Sequence, residues 1–126
     1  MKLRCNTNSI RLRLRRSEIA DLLRTGAVRE SVAFGPKQLF AYTLRLADDV
    51  DALQAAQTAD GITVSIPRSL GQRWGESEQV GLETEQTVGE GLSLHLLVEK
   101  DFPCYTRPGE DKADFFGELQ SNSEKC

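Results

Sequence analysis

Period-two alternation, repeated along the chain, constrains this sequence more than any other feature. In Ser9–Arg16, SIRLRLRR, Ile10, Leu12 and Leu14 point one way while Arg11, Arg13 and Arg15 point the other. Successive side chains of a strand leave opposite faces, so the stretch reads as a half-buried strand with an arginine face. The same pattern returns in VRESVAF (Val28, Val32, Phe34), LFAYTLRL (Phe40, Tyr42, Leu44, Leu46), ITVSIP (Ile62, Val64, Ile66) and LSLHLLVE (Leu92, Leu94, Leu96, Val98). KLRC joins SIRLRL through the Asn6–Asn8 turn, GPKQ links the next two strands, and EQVGLETEQ reaches the last strand through TVGEG. Links of hairpin length favour antiparallel neighbours and leave no room for repeated βαβ crossovers.

Two stretches switch period. SEIADLLRTG has Ser17 as an N-cap, Glu18 at the positive helix end, an Ile19/Leu22/Leu23 stripe and Gly26 as a stop. Ala20 in the third position leaves no capping box from Ser17. Pro67 opens a second short helix, PRSLGQRW. ADDVDALQAAQTADG reads as a connection with one or two helical turns around Val50 to Ala56, and no internal repeat is evident. The expectation is an α+β single domain over residues 1–116. It has a mostly antiparallel sheet of six to seven strands and one or two short helices packed on one face. Residues 117–126 read as a frayed tail.

At 126 residues, 39% hydrophobic and 28% charged, the chain has the composition of one globular domain. Cys5, Cys104 and Cys126 form no CxxC pair, which argues against a disulfide framework and a structural zinc site. The start has no unbroken apolar run, so no signal peptide is expected, nor any membrane span. A cytoplasmic setting without cofactor follows by default.

The net charge of −3 hides a polarity: residues 1–30 carry eight basic side chains against three acids, and the rest carries eight against sixteen. Three arginines on one strand face repel unless an anion lies across them. That anion is a carboxylate of a neighbouring strand (Glu83, Glu85 or Glu99), an anionic small molecule, or an acidic partner. Nucleic acid fits poorly, because the pI is 5.2 and no aromatic platform interleaves the arginines.

VEKDFPCYTRPGED, Val98 to Asp111, concentrates Glu99, Lys100, Asp101, Cys104 and Arg107. One reading makes it a site with Glu99 or Asp101 as acid/base and Cys104 nearby. The other makes it a sheet exit whose apolar residues Phe102, Tyr105, Phe115 and Phe116 anchor the departing segment. The single histidine, His95, lies about 13 Å from Glu99 by strand rise and has no recognisable catalytic or metal-ligating spacing.

The opening NSIRLRL…SE (Asn8 to Glu18), ITVSIP…W (Ile62 to Trp74) and VEKDF.C…R..ED..D (Val98 to Asp114) together resemble a family of small uncharacterised bacterial proteins filed as a domain of unknown function. The likeness spans nearly the whole chain and implies no activity. Relatives carry Gly near Thr7 and end in Phe-Pro-Asn-Pro, where this chain has Phe116-Gly117-Glu118. Locally, ITVSIPRSLGQRWGESEQVGLETE is similar to the swapped-hairpin DNA-binding domains of transition-state regulators and antitoxins. Those modules contact phosphates with basic loops on an interleaved dimer, whereas Arg68 and Arg73 here face Glu76, Glu78, Glu83 and Glu85.

These observations point to a non-catalytic domain that binds an anionic small molecule or a protein partner through its arginine face. Arg11, Arg13 and Arg15 supply the charge, and Glu99, Lys100, Asp101 and Arg107 line the rim. No catalytic or metal-binding residue is assigned. The alternatives are a small enzyme with a carboxylate/Cys site at residues 99–107 and a DNA-binding regulator of swapped-hairpin type. Exposed strand edges leave a homodimer open under each.

Overall fold

The computed structural model describes residues 1–102. They form β1 (Lys2–Asn6), β2 (Ser9–Leu14), α1 (Arg16–Thr25), β3 (Ala27–Gly35), β4 (Gln38–Ala47), β5 (Gln54–Thr58), β6 (Gly61–Pro67), α2 (Arg68–Glu76), β7 (Gly81–Gly89) and β8 (Leu92–Lys100). The fold is α+β with mostly antiparallel pairing, as expected. Instead of one sheet of six to seven strands, however, the eight strands build two sheets of four. Sheet 1 has the order β1-β2-β8-β7 and sheet 2 the order β3-β4-β6-β5.

In each sheet two antiparallel hairpins meet at a parallel seam, β2–β8 in sheet 1 and β4–β6 in sheet 2. Hairpins are local and leave a sequence signal. The seam joining Ser9 to His95 crosses most of the chain and leaves none.

The two sheets are copies of one another. Residues 1–47 run ββαββ, and so do residues 53–100. β1, β2 and α1 have counterparts 52 positions later (Lys2 and Gln54, Ser9 and Gly61, Arg16 and Arg68), while β3 and β4 have counterparts 54 positions later (Ala27 and Gly81, Gln38 and Leu92). The shift preserves pairing. Ser9 opposite His95 becomes Gly61 opposite Ala41, and the bulge between Ala33 and Gly35 becomes that between Thr87 and Gly89. Main-chain bonds follow as well: His95 N–H donates to Asn8 O at 2.9 Å, and Ala41 N–H to Asp60 O at 2.8 Å.

Each half thus gives one hairpin to each sheet, and the halves exchange hairpins within a single chain. The chain therefore contains a structural repeat, which the sequence reading did not find. Its trace is Ile10/Ile62, Leu12/Val64, Leu14/Ile66, Arg16/Arg68 and Ser17/Ser69 at constant spacing, mostly an apolar pattern rather than identities.

The core is common to both halves. Leu12, Leu14, Leu96 and Val98 of sheet 1 and Leu44, Leu46, Val64 and Ile66 of sheet 2 are buried with Ile19 and Leu22 of α1 and Trp74 of α2. Met1 and Leu53, also 52 apart, are both buried just before β1 and β5.

Two local expectations are corrected. Residues 54–58 are an edge strand rather than helical turns, because pairing with β6 from Gln54↔Ser65 to Thr58↔Gly61 overrides the helix propensity of Ala and Gln, as tertiary context routinely does. α1 is capped by Arg15, not Ser17. From the third helical position, Glu18 accepts the Arg15 N–H at 2.8 Å, so a back-bonding carboxylate caps the helix two residues earlier than a Ser17 cap would.

Candidate functional site

Register places one charged surface on the outer face of sheet 1. β1 contributes Lys2 and Arg4 opposite Arg13 and Arg11 of β2. Arg11 and Arg13 lie beside Leu97 and Glu99 of β8, and β7 adds Glu83 and Glu85 opposite Leu97 and His95. The β1/β2 half is basic and the β7/β8 half acidic, divided along the parallel seam.

The arginine face is already partly answered from within. Arg13 Nε donates to Glu99 Oε1 at 2.6 Å, and the Nε of Arg11 lies 3.8 Å from the same oxygen. Arg13 keeps only 15% of its side chain exposed, whereas Arg11 keeps 34% and Arg4 is exposed. Two guanidinium groups thus share one carboxylate, which leaves the β1/β2 half in excess of positive charge.

The other expected site residues scatter. Arg15 lies off the face, because the chain turns into α1 after Leu14; its Nε is 3.4 Å from Glu18 Oε1. Lys100 points to the opposite side of β8, where Nζ donates to Ser77 O and lies 5.8 Å from the Trp74 ring centre. Asp101 closes the end of the sheet, its carboxylate 3.0 Å from Lys2 Nζ and its N–H donating to Leu14 O at 2.8 Å. Arg107 and Cys104 lie outside the described residues. Of the seven expected residues, then, Arg11, Arg13 and Glu99 come together, Asp101 borders them through Lys2, and Arg15 and Lys100 do not join. Lys2 and Arg4 were missed, although the Asn6–Asn8 turn already implies their register against Arg13 and Arg11.

His95 acquires neighbours that its sequence context did not suggest. One ring nitrogen lies 3.2 Å from Ser9 Oγ, and the other lies 2.6 Å from Glu83 Oε2. A serine, a histidine and a carboxylate in line suggest a nucleophile relay. Acyl transfer also needs converging donors for the oxyanion, and Ser9 instead sits inside a ladder, between Asn6 of β1 and His95 of β8. The contacts bind three strands together across the face. Among the described residues no group of three His, Cys, Asp or Glu side chains is placed to hold a metal ion.

A second charged cluster lies where β1 begins. The Met1 ammonium is ion-paired with Glu18 and lies 3.1 Å from Glu30 Oε1, and Tyr42 Oη donates to Met1 O at 3.0 Å. Burial pushes the Glu18 carboxyl up, but bonds from the ammonium and the Arg15 N–H outweigh it and hold the group below its usual value. Burial, then the Glu30 and Glu18 charges, raise the Tyr42 phenol. These groups tie β1, α1, β3 and β4 together, which is a structural task.

The repeat supplies an internal comparison for the charged face. The counterparts of Arg4, Arg11 and Arg13 in sheet 2 are Ala56, Thr63 and Ser65, and those of Glu83 and Glu85 are Arg29 and Ser31. One equivalent contact survives in another form: Arg45 Nε donates to Ser65 Oγ at 2.8 Å, where the counterpart pair is Glu99 and Arg13. The equivalent face of sheet 2 thus keeps Arg29 and Arg45 but has no charge at the positions of Lys2, Arg4, Arg11 and Arg13, so the same backbone arrangement stands without that basic strip.

No helix of the described residues is long and apolar enough to cross a membrane. No curated protein and no solved structure matches the chain. A family model matches residues 1–120, running through both halves and into the segment after β8. The chain belongs to that family, described as a family of unknown function (DUF7009).

Proposed function

We propose that this protein is a non-catalytic binding module that recognises an acidic protein partner through the β1/β2 half of the sheet 1 outer face. The observation that carries the reading is the contrast between equivalent faces: Lys2, Arg4, Arg11 and Arg13 stand where sheet 2 has Gln54, Ala56, Thr63 and Ser65. Four cations on two paired strands, against the two carboxylates Glu99 and Asp101 that they share, suit further carboxylates spaced along a protein surface. A single small anion would have to compete with Glu99 for the same guanidinium groups. The ion pairs of Glu99 with the arginines and of Asp101 with Lys2 favour the binding reading over the enzyme reading.

The test is titration with a polyglutamate peptide and, separately, inorganic phosphate. Binding of the peptide should weaken as salt screens the charges and disappear in Arg4→Ala/Arg11→Ala. Binding that survives the double substitution, or no binding at low salt, overturns the proposal.

The DNA-binding reading has one observation in its favour, the exchange of hairpins between two ββαββ halves, the architecture of the interleaved dimers that ITVSIP…W resembles. The charges speak against it, because Arg68 is engaged by Asp48 at 2.9 Å, and Glu76 and Glu78 stand at the α2–β7 connection with Glu83 and Glu85 following in β7. Retention on duplex DNA with a steep salt dependence would favour it over the partner reading.

A further inference from the structure

The outer face of sheet 1 is bipolar, and its register shows how sharply. One row crosses all four strands as Arg4, Arg11, Leu97 and Glu83, and the row beside it runs Asn6, Ser9, His95 and Glu85. Arg4 at the β1 edge and Glu83 and Glu85 at the β7 edge are exposed, while Leu97 sits half-buried in the middle of an otherwise polar face. Ion pairs within the face join Arg11 and Arg13 to Glu99. Glu83 touches His95 yet keeps 63% of its side chain exposed, and Arg4 and Glu85 have no ion-pair partner among the described residues. Like charges on neighbouring strands repel, so gathering cations on one hairpin and carboxylates on the other retains a repulsion that interleaving them would remove. The equivalent row of sheet 2 is Ala56, Thr63, Thr43 and Arg29, with a charge at one end only. The segregation therefore belongs to sheet 1 alone.

Resting on the reading of the β1/β2 strip as a docking face, we propose that its acidic partner is a second copy of this chain. The charge segregation fixes how two copies meet. A two-fold axis laid along the β2–β8 seam stacks the faces with β1 over the partner's β7. Arg4 then comes over the partner's Glu83, and Arg11 over the partner's Leu97. An axis laid across the strands would instead put cations over cations. Two-fold contact makes every pair twice. Stacked sheets lie roughly 10 Å apart, a gap that an arginine and a glutamate bridge together. Leu97 gives the centre an apolar contact with the aliphatic stem of the partner's Arg11. A four-stranded face is small for a protein interface, so the dimer depends on concentration and weakens with salt.

The test is sedimentation velocity of the full chain over a concentration series at low and at high salt. The native chain should dimerise at low salt and dissociate as salt screens the charges. Arg4→Glu and Glu83→Arg should each weaken self-association by about tenfold or more. An equimolar mixture of the two variants should regain it, because each contact between unlike copies again joins opposite charges. The fluorescence of Trp74 shows that both variants remain folded. A native chain that stays monomeric at low salt overturns the dimer, as does a dimer indifferent to both substitutions or a mixture that fails to recover. Polyglutamate separates the dimer from the docking face itself. Glu83→Arg keeps the basic strip and should bind the peptide at least as well as the native chain. Peptide binding by a native chain that stays monomeric would sink the dimer and leave the docking face standing, whereas a native chain that neither dimerises nor binds the peptide overturns both.

Discussion

Arg13 donates to Glu99 at 2.6 Å across a parallel pair in which the two are register partners, and its counterpart contact, Arg45 to Ser65 at 2.8 Å, has the arginine on the other strand. The same geometrical slot therefore holds an ion pair in one half and a neutral acceptor in the other. The slot has a stability role that separates from the binding role. Glu99→Gln should lower stability by about 1–2 kcal/mol, the range for a charge-assisted bond at a mostly covered site, measured by urea unfolding. The same substitution should tighten polyglutamate binding, because it releases Arg13 and Arg11. A loss of both stability and affinity would contradict the proposed face.

Gly61 has φ +155°, and a Cβ placed on it would lie 1.9 Å from Ala41 O. That oxygen belongs to the β4–β6 ladder and cannot swing aside. Gly61→Ala should cost roughly 3 kcal/mol or more. Gly91→Ala, at φ +67° with open space around it, should cost only about 1 kcal/mol. Thermal melts of the two variants, followed by the single tryptophan, make the comparison.

Glu18 titrates below its usual value in the folded chain. Its contribution to stability is complete above the unfolded carboxyl value of about 4.3 and is lost as pH falls through the lower folded value. Glu18→Gln should therefore lower stability at pH 7 and flatten the acid limb of the profile. Tyr42 is displaced the other way. Its contribution is complete below the unfolded phenol value of about 10 and fades as pH rises beyond it, so Tyr42→Phe should flatten the alkaline limb.

Gln86→Val would give β7 the residue that the equivalent position of β3, Val32, carries, where β5 and β7 meet edge to edge. It removes both bonds to Ala55 and should cost about 1–3 kcal/mol. Exchange of the Ala55 amide should accelerate while that of amides in the β4–β6 ladder stays slow. An unchanged Ala55 amide would show that Gln86 does not hold the two strands together.

The sequence by itself determined the local elements. Alternation in SIRLRLRR, LFAYTLRL, ITVSIP and LSLHLLVE marked the core strands, and Ile19 and Leu22 marked the buried stripe of α1, because burial of one face imposes the period. Turn residues set each hairpin, and so, in principle, the placing of Lys2 and Arg4 against Arg13 and Arg11. The tertiary structure decided what those hairpins join. Each parallel seam pairs strands through backbone N–H and C=O groups that nearly every residue carries, so nothing in β2 names β8 and nothing in β4 names β6. That choice split the expected single sheet in two and made β5 a strand from a helix-tolerant segment. It also placed Glu99 on Arg13 while sending Arg15 and Lys100 elsewhere. The repeat stayed hidden for the same reason: the halves share backbone geometry and apolar pattern, and a hydrophobic core accepts Leu for Val or Trp for Leu wherever volume and periodicity are kept.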